Sequence, residues 1–145
     1  MVGQFEGRVA LITGAARGQG RSHAVRFAEE GADIIAVDIC DQIDCVGYPM
    51  ATREDLDETV NLVEKTGRRI VASRGDVRDF ERLKTTAANG VAELGRVDFV
   101  LANAGIGPLV GEQRHDIVAY VDAVDVMLTG VYYTIEATLP ALLTD

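Results

Sequence analysis

Residues 13–20 read TGAARGQG, and they follow an apolar run and precede a helical pattern. A dinucleotide pyrophosphate requires a tight strand-to-helix turn, a backbone without obstructing Cβ atoms and free N–H groups at a helix N-terminus. Gly14 suits the turn, Gly18 a close approach of the phosphates, and Gly20 close packing of the helix on the strand. Glycine-rich loops often serve only as turns, so this motif needs a second feature to support it.

The second feature is Asp38, which closes the next apolar run 18 residues after Gly20. A carboxylate at this position can accept hydrogen bonds from an adenosine ribose, and it would repel a 2′-phosphate. The sequence therefore predicts NAD as the cofactor in preference to NADP. Arg17, beside Gln19 in the same loop, is the counter-argument, because a cation there could reach such a phosphate. We interpret Arg17 as a solvated loop residue that does not bind a 2′-phosphate, and we expect Arg17 and Gln19 to lie at the cofactor site with the rest of the loop.

Short apolar, β-branched runs and helical patterns alternate along the chain. The runs cover residues 9–13, 33–38, 69–74 and 97–102, and their continuous apolar character is typical of parallel strands buried on both faces. Helices are predicted from near Gly20 to Gly31, from Thr52 to Gly67 and from Asp79 to Gly95. This alternation predicts right-handed βαβ units in an α/β fold of the Rossmann type, with three αβα layers and strand order 3-2-1-4.

A fourth helical stretch covers residues 116–142 and contains Gly130, where we expect a bend. Its apolar residues exceed what one helix buries on half a sheet, so part of the stripe is expected to face a partner; they are Val118, Val121, Val124, Leu128, Val131 and Tyr132. Asp122 and Asp125 on this helix are interpreted as residues of a solvated face.

Composition excludes several classes of function. The chain has 145 residues, 48% of them hydrophobic, and a formal charge of −9, which disfavours nucleic acid and anionic membranes as partners. Residues 1–8 do not resemble a signal peptide, and no run of 18 apolar residues occurs, so a cytoplasmic location is predicted. Cys40 and Cys45 lack zinc-site spacing and are expected to be reduced, structural thiols. With His23 and His115 isolated, no metal is predicted.

The TGxxxGxG spacing, joined with Asn103-Ala104-Gly105 after the fourth run, resembles the short-chain dehydrogenase/reductases. Asp76-Val77 after the third run is similar to the adenine-contacting pair of that family. The resemblance covers essentially the whole chain, as the N-terminal half of a typical member. It implies one NAD-binding domain over residues 1–145, an oxidoreductase acting on a small alcohol or ketone, and a homo-oligomer in which the fourth helix packs against a second subunit.

A finer resemblance lies in Val37-Asp38-Ile39-Cys40 and in the extra segment that extends to about residue 51. These features resemble the carveol dehydrogenase or mycofactocin-dependent branch. In that branch the insertion is thought to close over the cofactor, which would place Ile39 at the NAD site. The alternative is an ordinary surface loop.

The catalytic apparatus of the family is a serine, a Tyr-x-x-x-Lys pair and an assisting asparagine. No Tyr-x-x-x-Lys occurs in this chain, since Asn61 and Phe80 stand four positions before the lysines, Lys65 and Lys84. Met127 occupies the usual asparagine position, and a thioether cannot replace the amide donor. We therefore predict that residues 1–145 lack activity alone and that Asp145 does not end a working enzyme. A catalytically silent dinucleotide-binding or interaction module is the competing interpretation, and a methyltransferase on the same fold is a weaker one.

Overall fold

The computed structural model describes residues 3–108, 111 and 116–144. Four strands form one parallel sheet in the order β3-β2-β1-β4: β1 (Val9–Thr13), β2 (Asp33–Asp38), β3 (Ile70–Arg74) and β4 (Phe99–Leu101). The predicted α/β class and strand order are confirmed. Strands β1 and β2 are buried along their whole length, whereas β3 and β4 are partly exposed.

Helices connect the strands as the sequence predicts: α1 (Gly18–Glu29), α2 (Arg53–Glu64) and α3 (Phe80–Leu94). The predicted capping box of α2 is present, because the Thr52 side chain accepts from the Asp55 backbone N–H and the Asp55 carboxylate accepts from Thr52. Asp79 caps α3, and Gly95 ends it in the left-handed conformation at φ 90°.

The sheet is covered on both faces, which gives the three-layer arrangement. Along β1, Ala10 and Ile12 face the layer of α1 and α2, and Val9 and Leu11 face α3. This alternation is the two-residue period of a strand with both faces buried. The hydrophobic core is therefore split into two halves by the sheet, and the loops at the carboxyl ends of the strands stay free to form a site.

The last helical stretch contains α4 (Ile117–Val124), a π-helical segment (Asp125–Thr129) and α5 (Gly130–Leu142). We expected a bend at Gly130, but that residue has ordinary helical dihedrals, φ −64° and ψ −34°, and the irregular geometry is the π-helical segment in the five residues before it. By length and composition alone this stretch could span a membrane, and 28% of its most apolar window is buried within the described fold; one such helix is weak evidence. Its inner face packs on α3 and β4.

Candidate functional site

A cleft of about 310 Å³ opens at the carboxyl ends of β1, β2 and β4. This is the place where ligands bind in open α/β sheets, because the connections leave β1 and its neighbours toward opposite faces. All twelve residues predicted to contact the cofactor line this cleft: Gly14, Arg17, Gly18, Gln19, Gly20, Asp38, Ile39, Asp76, Val77, Asn103, Ala104 and Gly105.

The three glycines are required for different reasons. Gly14 has φ +67°, and a Cβ there would lie 2.9 Å from Ala104 Cα. Gly18 has φ +56° and no heavy atom within 4 Å of its Cβ position, so it faces open space in the cleft. A Cβ on Gly20 would overlap the Gly14 carbonyl oxygen, so Gly20 packs on the turn rather than on the strand.

The prediction that all three glycines precede the helix is wrong for two of them. Helix α1 begins at Gly18, so Gly18 and Gly20 belong to its first turn and still line the cleft. Residues 14–17 complete the turn, and Gly18 keeps its positive φ as the first residue of the helix.

The N-terminus of α1 has no side-chain cap, since Arg17 at the cap position makes no such hydrogen bond. By contrast, Thr52, Asp79 and Asp116 cap the helices α2, α3 and α4. The first N–H groups of a helix without a cap are available to a ligand, and the helix dipole favours an anion there. The geometry therefore suits a phosphate group at this point of the cleft.

Two residues that the sequence analysis did not identify support the turn from behind. Arg21 donates to the Ala16 carbonyl at 2.6 Å, and Thr59 Oγ1 donates to the Ala15 carbonyl at 2.9 Å. The Ala15 and Ala16 N–H groups donate to the Val37 carbonyl and to Asp38, so among the described contacts the N–H groups left for a ligand are those at the start of α1. No sequence signal indicates these roles, because Thr59 comes from α2, more than 40 residues away.

Asp38 and Asn103 tie the turn to the neighbouring strands. The buried carboxylate of Asp38 accepts from the Ala16 N–H at 2.9 Å and from the Cys40 N–H at 3.1 Å. Asn103 Nδ2 donates to the Thr13 carbonyl at 3.0 Å. The predicted cofactor residues thus also hold one another in place, and each Asp38 oxygen keeps a lone pair for a ligand.

Residues 40–51, here called the strap, cross the cleft after β2. Four strap residues line the cleft: Ile43, Tyr48, Met50 and Ala51. The sequence did not indicate these residues individually. Gln42 holds the strap in one shape, since its side chain bonds the backbone of four strap residues: Ile43, Val46, Tyr48 and Met50. The Tyr48 hydroxyl accepts from the Gly107 N–H at 2.9 Å, so the strap is anchored to the loop after β4.

Arg78 links the wall of the cleft to α4. Its guanidinium forms a two-pronged pair with Asp76 and also bonds Asp122 Oδ1 at 2.9 Å. The other oxygen of Asp122 accepts from the Cys45 thiol at 3.1 Å. The interpretation of Asp122 as a solvated residue is therefore wrong: it faces Arg78 and the strap because α4 packs beside the cleft.

Burial and neighbouring charges shift the pKa values of Asp76 and of the two strap cysteines. Burial alone would raise the pKa of Asp76, but the hydrogen bonds and charge of Arg78 hold that pKa below its usual value. Burial, and then the hydrogen bond to Asp122, raise the pKa of Cys45 to about 11. Burial and the nearby Asp38 charge raise the pKa of Cys40 to about 11 as well. Both cysteines are free, protonated thiols near neutral pH.

Met127 lies at the edge of the cleft, with its sulfur 3.6 Å from the Cβ position of Gly105. Its neighbour Val126 is turned inward by the π-helical segment and lines the cleft. His23 is partly exposed on α1, and His115 lies outside the described residues.

Comparison with known proteins gives one consistent result. The family described as short chain dehydrogenase matches residues 8–145. A (−)-trans-carveol dehydrogenase of Rhodococcus erythropolis is 47% identical over 97% of this chain and 51% of its own length. Carveol dehydrogenase from Mycobacterium avium in complex with NAD superposes with a TM-score of 0.92 at 53% identity, over 97% of this chain and 51% of that one. A short chain dehydrogenase from Mycobacterium paratuberculosis bound to NAD has a TM-score of 0.92 at 51% identity, covering 97% of this chain and 52% of that one. The chain thus spans about half the length of these relatives.

Proposed function

Because the chain belongs to the short-chain dehydrogenase family, we propose that it forms the NAD-binding part of an oxidoreductase. The reaction is hydride transfer between a secondary alcohol or ketone and NAD. The observation that carries this proposal is the cleft at the start of α1, where an uncapped helix N-terminus and three cleft glycines lie opposite Asp38.

The cleft fits each part of the cofactor. The N–H groups at the start of α1 bind the pyrophosphate, and a Cβ at Gly14 or Gly20 would fill the cradle that the turn forms. Asp38 accepts hydrogen bonds from the adenosine ribose, and Asp76 and Val77 contact the adenine beside Ile39. Asn103, Ala104 and Gly105 form the opposite wall, next to the nicotinamide half. When bound, NAD supplies the hydride acceptor.

NAD is favoured over NADP by charge. A 2′-phosphate on the ribose would meet the Asp38 carboxylate, whose two oxygens are fixed by backbone N–H groups and cannot turn away. Arg17 is exposed at the rim of the cleft and makes no hydrogen bond to a described side chain that would aim it at that phosphate. Two similar structures, of a carveol dehydrogenase in complex with NAD and of a short chain dehydrogenase bound to NAD, support the same choice.

The substrate class is a small alcohol or ketone, which the names of the carveol dehydrogenase relatives support. General acid–base chemistry on the substrate oxygen requires a positioned proton donor. Residues 1–145 contain no Tyr-x-x-x-Lys pair, so this part of the protein binds and orients NAD rather than moving the substrate proton. Met127 replaces the amide that assists the proton relay in this family.

The partner surface is the outer face of α4 and α5. Val118, Val121, Leu128 and Tyr132 are exposed, as the sequence analysis expected, while Val124 and Val131 are only partly exposed. Contiguous apolar surface of this kind marks a protein interface, and a second copy of the chain is the proposed occupant. We place the protein in the cytoplasm and expect no nucleic-acid or membrane partner, in keeping with the charge of −9.

Titration of the complete gene product with NAD and with NADP tests the proposal. We expect NAD to bind more tightly, and a panel of secondary alcohols to generate reduced nicotinamide detectable by its absorbance. Tighter binding of NADP would contradict the cofactor assignment. Binding of neither dinucleotide would contradict the function as a whole.

A further inference from the structure

A continuous chain of polar contacts runs from the strap to the wall of the cleft. It starts at the Cys45 thiol, passes through both oxygens of Asp122 to the Arg78 guanidinium, and ends at the Asp76 carboxylate. Each link lies between 2.7 and 3.1 Å. Three separate parts of the fold meet in it: the strap, the loop after β3, and α4.

The Asp76 carboxylate is held almost entirely by Arg78, the neighbouring member of this series of polar contacts. Arg78 donates its backbone N–H and its Nε to Asp76 Oδ1, and its Nη2 to Asp76 Oδ2 at 2.7 Å. Paired forks of this type fix the plane of both groups. Nε also lies 3.0 Å from Oδ2, so its single hydrogen is shared between the two oxygens. Oδ2 has one full bond, from Nη2, and can accept a further donor from the cleft in a direction that the position of Arg78 sets.

Arg78 is itself held on its far side by Asp122. The Asp76 and Asp122 side chains are 29% and 20% exposed, so the guanidinium lies between two partly buried carboxylates. Asp122 in turn has its second oxygen occupied by the strap thiol. A displacement of the strap at Cys45 therefore acts on Asp122 and Arg78, and through them on Asp76.

The strap can transmit such a displacement because it is internally tied. The side chain of Gln42 bonds to Val46, next to Cys45, and to the cleft-lining Met50, so these parts of the strap move together. The hydrogen bond from the Gly107 N–H to the Tyr48 hydroxyl anchors the same tied strap to the loop after β4.

We propose that Asp122 and Arg78 are positioning residues that couple the seating of the strap to the recognition of adenine by Asp76. This inference rests on the proposed function, since it takes NAD as the occupant of the cleft. Adenine offers an N6 amino group as donor to Asp76, and its hypoxanthine counterpart lacks that group. The preference for NAD over nicotinamide hypoxanthine dinucleotide therefore measures the alignment of Asp76.

The experiment measures dissociation constants for both dinucleotides in the complete gene product. Asp122→Asn is expected to reduce the preference for NAD about threefold to tenfold, since misalignment of Asp76 weakens its one hydrogen bond to the N6 amino group without removing it. Cys45→Ala removes only the hydrogen bond between the strap and Asp122, and it should also reduce the preference for NAD. Cys45→Ser, which keeps a donor, should restore it.

One control variant separates coupling from general damage, and a second strap variant tests the coupling from its other anchor. Asp125→Asn makes the same change on the same helical stretch, at a side chain with no hydrogen bond or ion pair to a described residue, and should leave the preference unchanged. Tyr48→Phe releases the other anchor of the strap, and because Gln42 ties Tyr48 to the rest of the strap, it should also reduce the preference for NAD. Unfolding midpoints check that every variant is folded.

The outcomes are distinct. If Asp122→Asn and Cys45→Ala weaken both dinucleotides equally, or neither, the coupling is overturned while the function stands. If the unmodified protein binds neither dinucleotide, the proposed function fails instead. A reduced preference in both variants with an unchanged control supports the inference.

Discussion

Asp38 has two tasks that must be separated before its role in specificity can be measured. Its carboxylate accepts the Ala16 and Cys40 backbone N–H groups, and in the proposed complex it also receives the ribose hydroxyls. Removing the side chain would disturb the turn and the strap together. Removing only its charge is therefore the more informative change.

Asp38→Asn is expected to narrow the preference for NAD over NADP by about tenfold or more. The negative charge that repels a 2′-phosphate disappears, and hydrogen bonds to a charged acceptor contribute about 1.5–3 kcal/mol each. The measurement is titration with both dinucleotides in the complete gene product. Asp41→Asn is the matched control, because it removes the same charge nearby from a side chain that does not line the cleft. An unchanged preference in Asp38→Asn would refute the assignment.

Gly18 can be tested against Gly67, because both have positive φ and no atom within 4 Å of the Cβ position. An alanine at either position carries the same left-handed strain, about 1–2 kcal/mol. We expect Gly18→Ala and Gly67→Ala to lower the free energy of unfolding by similar amounts in denaturant titrations. Only Gly18→Ala should also weaken NAD, since its Cβ would occupy the approach of the pyrophosphate. Equal NAD affinity in both variants would argue against the phosphate site.

The elements themselves could be predicted from the sequence because their signals are local. The apolar runs, the capping box at Thr52 and the glycine at position 95 each act within a few residues. Strands β3 and β4 are shorter than the apolar runs that predicted them. Each pairs with one neighbour among the described strands, so the residues at its ends have fewer hydrogen-bond partners than the sequence pattern suggests. The start of α1 was misplaced because Gly18 enters the helix with a positive φ.

The rest of the site depends on contacts between distant segments. Thr59 supports the turn at Ala15 from 44 positions along the chain, and Cys45 bonds to Asp122 from 77 positions away. Their residue types carry no periodic or capping signal. The sequence could therefore indicate the cofactor residues, which belong to one family motif, but not the residues that hold them.

The π-helical segment sets how α5 meets the cleft, and Gly130 is the contact point. A Cβ on Gly130 would lie 2.6 Å from Val77 Cγ2, and Val77 lines the cleft. Gly130→Ala should therefore displace Val77, lower the free energy of unfolding by about 1–3 kcal/mol and weaken NAD. Adding Val77→Ala should recover part of the lost stability. Denaturant titrations of the four proteins form a double-mutant cycle, and a coupling energy near zero would contradict the contact.

At the scale of the whole molecule, two surfaces of the described fold lack a covering layer. Strand β4 pairs with β1 alone among the described strands, and it has only three residues. Large apolar side chains are exposed along α4 and α5, including Ile117 at 75% and Leu128 at 68%. Open strand edges and apolar patches both promote association. Both surfaces lie at the β4 end of the sheet, because α5 packs against β4.

Residues 1–145 produced alone are expected to self-associate and to show no dehydrogenase activity. Association follows from the exposed face of α4 and α5 and from the free edge of β4. Inactivity has a separate chemical cause, because no Tyr-x-x-x-Lys pair is present to exchange a proton with the substrate oxygen. Sedimentation velocity measures the first effect, and the absorbance of reduced nicotinamide with secondary alcohols measures the second. The complete gene product, assayed in parallel, is the control for both. A stable monomer of residues 1–145 that reduces NAD with an alcohol would refute both expectations, whereas inactivity of the complete product as well would favour a silent dinucleotide-binding module.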